Sequence, residues 1–578
     1  MPSPGNRSSQ PELLTTVPAL YRRSPYYFAI FHEPCDAMRR RHAAKRAPWK
    51  SRPLAVGMGV MLCIAVAFRI FKPQAATPVP PPATIPPMCN TSNAARLGAL
   101  ANETGRVPLA ARRRAIVLTT EDAWCAYYTG AWGADDLKPL SKSGAQWLHL
   151  AATGVDALDT LLAMRLYAKS NATADMVVER LSVRAPDRIN AFEATIRVLG
   201  GLVSACHASR DVRLLRAAAA LGADLSVVFN SPTTIPYSDV DLSTRAAWAV
   251  GRSDRSDSAE SSLAEAGTMR LEFDALSLAV GAEPFEESGS AQALLVAGCA
   301  GGLAPGTHVS PVTGEWTEGG EVGIGAHSDS FYEYLLKSWI HGGKRDPWLL
   351  EAHQNAVQGV TTRLLARSPR EGLLYVGKLV NGELVPSMEH LACFYPGLLA
   401  LAHMHDVRTR PEHAAAEATA LGALGLADQM GVARELLATC VAMGKRPRTG
   451  VAPERVRFEP PGTPVGGDMF VERGRGRLRP ETVESLFLMH RATGEARYRH
   501  EGWAIWRAIQ LAARVPGGYA ALEDVTRLDT PHMDVMESYF IAETLKYLWL
   551  LFSDSSALNL QTMVLNTEGH AFPVRTPT

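Results

Sequence analysis

No surplus of either charge runs through this 578-residue chain: 59 Lys and Arg face 58 Asp and Glu, for a formal net charge of +1. The basic excess that binds polyanions is missing, and what clustering of Arg and Lys exists lies near the N-terminus, so no nucleic-acid partner is expected. No fixed-length repeat is visible. The composition also lacks the bias of a disordered or fibrous chain, with 47% hydrophobic and 20% charged residues, and reads as globular.

One apolar segment stands out. Leu54 to Phe68 carries no charge and continues through Arg69, Ile70 and Phe71. At about 1.5 Å per residue, a helix from Leu54 to Phe71 spans roughly 27 Å, near the thickness of a thin endomembrane bilayer, with Arg69 snorkelling to the interface. Arg39, Arg40, Arg41, Lys45, Arg46, Lys50 and Arg52 precede it, and the positive-inside rule then puts the N-terminus in the cytosol and everything after Lys72 in a lumen. A cleavable signal peptide is the competing reading, but the run starts too deep for an ordinary n-region. Residues 1–52 therefore read as a disordered cytosolic tail, 53–72 as a transmembrane signal anchor, 73–106 as a Pro-rich lumenal stem and 107–578 as one large domain. The sequons at Asn90, Asn102 and Asn171 all fall on the lumenal side of this topology.

Beyond the stem, apolar residues recur at helical spacing over 147–167, 189–208, 264–280, 329–340, 391–403, 482–490, 503–514 and 536–552, which predicts a mainly α domain. Asn381-Gly382 inside LLYVGKLVNGELV predicts a β-hairpin. Periodicity names no reaction. Four acidic constellations embedded among apolar residues do more: INAFEATIRVLGG (Glu193), GAHSDSFYEYLLKSWI (Asp329, Glu333), LRPETVESLF (Glu481, Glu484) and MESYFIAETLKYLWLLFSD (Glu537, Glu543). Carboxylates there are costly unless paired or used. Glu193 and Arg197 share a helix face at i,i+4, as do Asp329 and Glu333, and Glu481 and Glu484 at i,i+3. Any one pair reads first as a solvated helix salt bridge or cap; ordinary salt bridges do not demand an acid amid Phe, Tyr and Leu four times over, and such faces could line one polar cavity.

These residues resemble glycoside hydrolase family 47, the class I α-1,2-mannosidases. The resemblance runs from about Glu121 to Val574 through AWGADDLKPLSKSG, VDALDTLLAMRL, INAFEATIRVLGGLVSA, IPYSDVDL, SDSFYEYLLKSWI, MEHLACFYPGLLAL, LRPETVESLF, MESYFIAETLKYLWLLFSD and NTEGHAFPV. It implies an (α/α)7 barrel whose last segment reaches into the barrel core. The implied activity is inverting exo-hydrolysis of terminal α-1,2-linked mannose from high-mannose N-glycans, with acid and base carboxyls roughly 6.5–9.5 Å apart. Glu481 matches the general base, and Glu193 and Asp329 are both candidates for the acid.

The same resemblance implies a Ca2+ cofactor held by Thr567 of NTE through its carbonyl and hydroxyl oxygens, with water and sugar hydroxyls completing an oxygen shell. Glu484, Glu543, Glu568 and Glu389 would surround those waters, and Arg197, Arg479, His390, Phe394 and Tyr539 would contact or position sugar. His327 stands where endoplasmic-reticulum members carry arginine and Golgi members leucine, a position linked to branch choice, and MEH has Glu389 where aspartate is common. Cys393 and Cys440 match the family's disulfide, whereas Cys89, Cys125, Cys206 and Cys299 have no assignable partner and read as buried thiols. A membrane-anchored monomer of the endoplasmic reticulum or Golgi follows. A mannose-binding, degradation-routing protein of the same fold is the alternative, and a calcium-independent helical hydrolase a second one.

Overall fold

Ala152 through Leu161 are buried at every position, and so are Ser330 through His341. An amphipathic surface helix keeps one wet face; a helix apolar all round has to be enclosed. The structure, a computed structural model, describes Cys89 and residues 93–576 apart from 104, 106, 183–187, 252–258, 318–319 and 459–466. It is mainly helical. The inner helices are α3 (Ala152–Ala163), α5 (Gly200–Ser209), α7 (Arg270–Val280), α9 (Asp329–His341), α11 (Tyr395–Met404), α13 (Glu481–Thr493) and α15 (Lys546–Leu551). Each touches the next, and the π-helical turn Phe540–Leu545 that leads into α15 returns to α3, so the seven close a ring.

A second layer backs the ring: α1 (Asn93–Asn102), α2 (Leu109–Gly130), α4 (Tyr167–Leu181), α6 (Val212–Leu225), α8 (Glu286–Ala297), α10 (Pro347–Arg363), α12 (Gln429–Lys445) and α14 (Ala496–Ala512). The outer helices meet one another over large aromatics whose polar edges are satisfied. The indole N–H of Trp124 donates to Thr173 Oγ1 at 3.0 Å, and that of Trp506 to Thr119 Oγ1 at 3.0 Å, as buried donors require. Helix α1 falls inside the stretch read as stem, yet it packs on α14 with Leu97 and Ala101 fully buried. The helical body thus begins upstream of residue 107. The anchor expected at 53–72 and the tail at 1–52 lie outside the described residues. Among the described residues, no helix is long and apolar enough to cross a membrane.

The β structure consists of short antiparallel pieces. Strands β1 (Lys378–Val380) and β2 (Glu383–Val385) form the expected hairpin, with Asn381 and Gly382 both at positive φ, 52° and 82°, as a type I′ turn needs. Strands β3 (Ser387–Glu389), β4 (Arg455–Phe458) and β5 (Met469–Arg473) form a small sheet. The hairpin of β6 (Met563–Leu565) and β7 (Ala571–Pro573) pairs Val564 with Phe572 and inserts among the inner helices, β6 against α9 and β7 against α5.

The expected boundaries shift where side chains compete with the helix. Periodicity predicts a helix from Trp147, but α3 starts at Ala152, because the fully buried Asp135 carboxylate accepts the backbone N–H groups of Trp147, Leu148, His149, Leu150 and Ala152 at 2.7–3.2 Å. The loop wraps the carboxylate, and His149 and Ala151 take left-handed φ values of 58° and 56°, which a right-handed helix cannot use. The Cys393–Cys440 bridge is present, with Cα atoms 5.9 Å apart. Reading Cys89 and Cys125 as buried thiols is corrected: they are joined, with Cα atoms 5.8 Å apart, tying the segment before α1 to α2. Among the described residues, Cys206 and Cys299 form no disulfide.

Replacing Asp135 with Ala strips five backbone donors of their acceptor, each worth about 1–3 kcal/mol when left buried and unpaired. Asp135→Ala is expected to lower unfolding stability by about 3 kcal/mol or more in a urea titration. A midpoint equal to the parent's would contradict this role.

Candidate active site

Around the tip of the β6–β7 hairpin the inner helices leave a cavity of about 330 Å³. Twelve of the predicted site residues line it: Glu193, Arg197, His327, Asp329, Phe394, Arg479, Glu481, Glu484, Tyr539, Glu543, Thr567 and Glu568. Local structure explains how each arrives. Glu193 ends a single helical turn whose start is capped by Asn190, its side-chain oxygen accepting Glu193 N–H at 2.9 Å. The chain then widens into the π-helical turn Ala194–Leu199, which carries Arg197. A second π-helical turn, Phe540–Leu545, carries Glu543. Such turns are rare and recur at functional sites. Asp329 and Glu481 are the first residues of α9 and α13. Leu478, at φ 58°, bends the chain just before Arg479, a costly conformation for a bulky residue; its carbonyl is held by Thr544 Oγ1 at 2.8 Å.

Arg197 organises one wall. Its Nε donates to Glu193 at 2.7 Å and its Nη1 to Ser538 Oγ at 3.2 Å; Nη1 also bonds Glu568, and Asp156 lies 3.7 Å away. Arg479 is held by Glu454 through two bonds of 2.9 and 2.8 Å. Both guanidinium groups lie against the Tyr539 ring, 5.8 and 5.9 Å from its centroid. Beneath the floor, buried Lys337 bonds Glu333, with Glu484 and the Asn566 carbonyl each at 3.4 Å.

Two expected members stand elsewhere. His390 does not line the cavity: its Nε2 pairs with Thr482 Oγ1 at 2.7 Å and its Nδ1 is 4.0 Å from Glu481. The ring backs Glu481 from outside and faces a separate cavity between α12, α13 and α14. Burial pushes its imidazole down to about 4, so it is neutral near pH 7. Glu389 also faces away, bonded to Arg455 and to Ala326 N–H, the latter at 2.7 Å. His327 is an exposed rim residue at φ 71°, its ring 5.1 Å from that of His308.

The cavity is short of positive charge. Eight carboxyls line it (Glu193, Glu265, Asp329, Glu333, Glu481, Glu484, Glu543 and Glu568) against two arginines. Burial pushes Asp329 and Glu481 up to about 7, opposed by the Ser330 N–H and by Arg479 respectively. Burial likewise raises Glu484 to about 7, and holds Glu543 and Glu568 well above the usual carboxylate range. One oxygen of Glu481, Oε2, has no hydrogen-bond partner among the described residues. The donor set is oxygen-rich, with His327 its one imidazole and no thiol, and that chemistry fits a hard cation rather than a soft one. Among the described residues, no three His, Cys, Asp or Glu side chains gather closely enough to hold an ion by themselves.

Pattern reading of the chain left out Lys337, Glu272, Tyr334 and the buried pair Asp156 and Asp159, which flank His570 at 3.2 and 3.1 Å. The signal existed: a lysine within YLLKSWI and two acids within VDALDT are anomalies in otherwise apolar helices.

Separate carboxyls with raised proton affinity facing one cavity are what acid–base cleavage of a glycosidic bond requires. Comparison with known proteins agrees. Residues 119–574 match Glycosyl hydrolase family 47. The human endoplasmic reticulum mannosyl-oligosaccharide 1,2-alpha-mannosidase is 38% identical over 478 residues, 81% of this chain and 64% of that protein. The Arabidopsis thaliana mannosyl-oligosaccharide 1,2-alpha-mannosidase MNS3 is 34% identical over 516 residues, 81% of this chain and 80% of that one. Among solved structures, the alpha-1,2-mannosidase from Trichoderma reesei superposes with a TM-score of 0.70 at 25% identity, covering 81% of this chain and all of that one. The chain belongs to glycosyl hydrolase family 47.

Asp329 and Glu481 ionise near 7 when folded and near the ordinary carboxylate values of about 3.9 and 4.3 when unfolded. The folded state thus holds more protons between those limits, and stability falls as pH rises through 7. Buried neutral His341, His353 and His390 act oppositely, but only below about 6.5. In a metal chelator, stability is expected to drop by about 1 kcal/mol per carboxyl from pH 6.5 to 8. A melting temperature that rises over this range would contradict the assignment.

Proposed function

We propose that this protein is a calcium-dependent α-1,2-mannosidase that removes terminal α-1,2-linked mannose from high-mannose N-glycans with inversion. One observation carries the reading: acids from four separated segments meet around the hairpin tip that bears Thr567. Glu481 is the general base that takes a proton from the attacking water, with His390 behind it, Nδ1 4.0 Å from its buried Oε2. Glu193 or Asp329 protonates the leaving oxygen from the other side. Arg197, Arg479, Phe394 and Tyr539 orient the sugar, with aromatic rings for its apolar face and guanidinium groups for its hydroxyls. His327, at the rim, borders the rest of the glycan. His390 acts by supporting Glu481 rather than by touching sugar.

Thr567, with Glu484, Glu543 and Glu568 beside it, would hold the calcium through its own two oxygens and intervening water. The bound ion supplies a hard oxygen-seeking centre for the 2- and 3-hydroxyls of mannose. The seven-membered helical ring with its outer layer is assigned as an (α/α)7 barrel and the β6–β7 hairpin as its core-filling segment. The arrangement along the chain is a cytosolic tail (1–52), a type II anchor (53–72), a Pro-rich stem that ends ahead of α1, and the catalytic body. A monomer in the membrane of the endoplasmic reticulum or Golgi, with its catalytic body in the lumen, is the setting that fits glycoprotein substrates and two disulfides.

The test is release of free mannose from a nine-mannose N-glycan by the purified lumenal portion. Activity is expected with calcium, lost in EDTA and restored by calcium, with Glu481→Gln lowering kcat by about 10²–10⁴. No mannose released in calcium, or full activity in Glu481→Gln, would refute the proposal.

A further inference from the structure

The tip of the β6–β7 hairpin is fastened by side chains that do not line the cavity. The Asn566 side chain folds back on the tip, its Oδ1 accepting the N–H groups of Glu568 and His570 at 3.0 and 2.7 Å. Its Nδ2 donates outward to Ile196 O at 2.9 Å and to Glu272 Oε1 at 2.8 Å. That same Glu272 oxygen accepts the hydroxyl proton of Tyr334. With its proton committed, the Tyr334 oxygen presents a lone pair, and it accepts the N–H of Thr567 at 3.3 Å. On the other side of the same peptide group, the Asn566 carbonyl lies 3.4 Å from Lys337 Nζ. The peptide plane between Asn566 and Thr567 is therefore gripped at both edges. Glu272 and Tyr334 are both fully buried and stand on neighbouring inner helices, α7 and α9. Gly200 keeps the approach open, since a Cβ there would come within 2.8 Å of Asn566 Nδ2.

We propose that Tyr334, oriented by Glu272, is a positioning residue that fixes the Thr567 peptide and thereby sets the affinity of the threonine oxygens for calcium. The inference rests on the proposed calcium site and deepens it. Groups that orient a metal ligand from behind change affinity by about 10–100-fold when removed. The chain also predicts which replacement is tolerated: Glu272 uses only Oε1, and Oε2 has no partner among the described residues, so a glutamine oxygen can accept both bonds.

The experiment is calcium titration calorimetry on the purified lumenal portion, with a melting curve of each variant in chelator. Tyr334→Phe removes one hydroxyl from an otherwise isosteric ring and should weaken calcium binding by about 10–100-fold while the chelated protein remains folded. Glu272→Leu should weaken it similarly, and Glu272→Gln should stay near the parent value. A folded Tyr334→Phe that binds calcium with parent affinity overturns the proposal whatever Glu272→Leu does, and so does a Glu272→Gln as weak as Glu272→Leu. If the parent protein itself binds no calcium, it is the calcium reading that fails, a result distinct from either of these.

Discussion

Everything in this molecule answers to one electrostatic constraint: more carboxyl groups are buried around the hairpin tip than the nearby arginines and lysine can neutralise. Burying an uncompensated carboxylate is expensive, and the group either takes a proton or acquires a counter-charge. The raised proton affinities of Asp329, Glu481 and Glu484 are the first response. The oxygen-rich surroundings of Thr567 leave room for the second. A site held in this state is poorly stable by itself and is useful for that reason, since acid–base chemistry near neutral pH needs carboxyls that ionise there.

The fold supplies the means to hold such a site. Inner helices buried on all sides form rigid walls, the outer layer and the Cys393–Cys440 bridge brace them, and the hairpin closes the middle. Functional side chains sit at helix starts and on two π-helical turns, where the backbone departs from regular spacing and can aim a side chain inward. Arg197 and Glu543 both owe their placement to such turns. Behind them, a layer of buried polar bonds through Asp156, His570, Asn566, Glu272, Tyr334 and Lys337 keeps the tip in register with the helices.

Much of this was legible in the sequence. Helical periodicity marked seven of the inner segments approximately, Asn-Gly marked a hairpin, and acids within apolar helices marked the cavity wall. Convergence was not legible, because nothing in local pattern brings residues near 193, 329, 481 and 567 together; resemblance to a family supplied it. The π-helical turns have no periodic signature, so two segments read as plain helices. The bridge from Cys89 to Cys125 escaped because Cys89 follows a Pro-rich stretch that looked like free stem. Adjacency in sequence misled for Glu389 and His390, which border motif residues but point away, whereas Lys337, Glu272 and Tyr334 are ordinary helix residues until the hairpin is placed against them.

The central claim is that this crowd of carboxyls is organised about a cation at the hairpin tip. Anomalous diffraction from crystals of the helical body grown in calcium tests it most directly. The account predicts one strong peak in bonding contact with the carbonyl and hydroxyl oxygens of Thr567, bordered by Glu484, Glu543 and Glu568. A peak elsewhere, or none in the cavity, would contradict it.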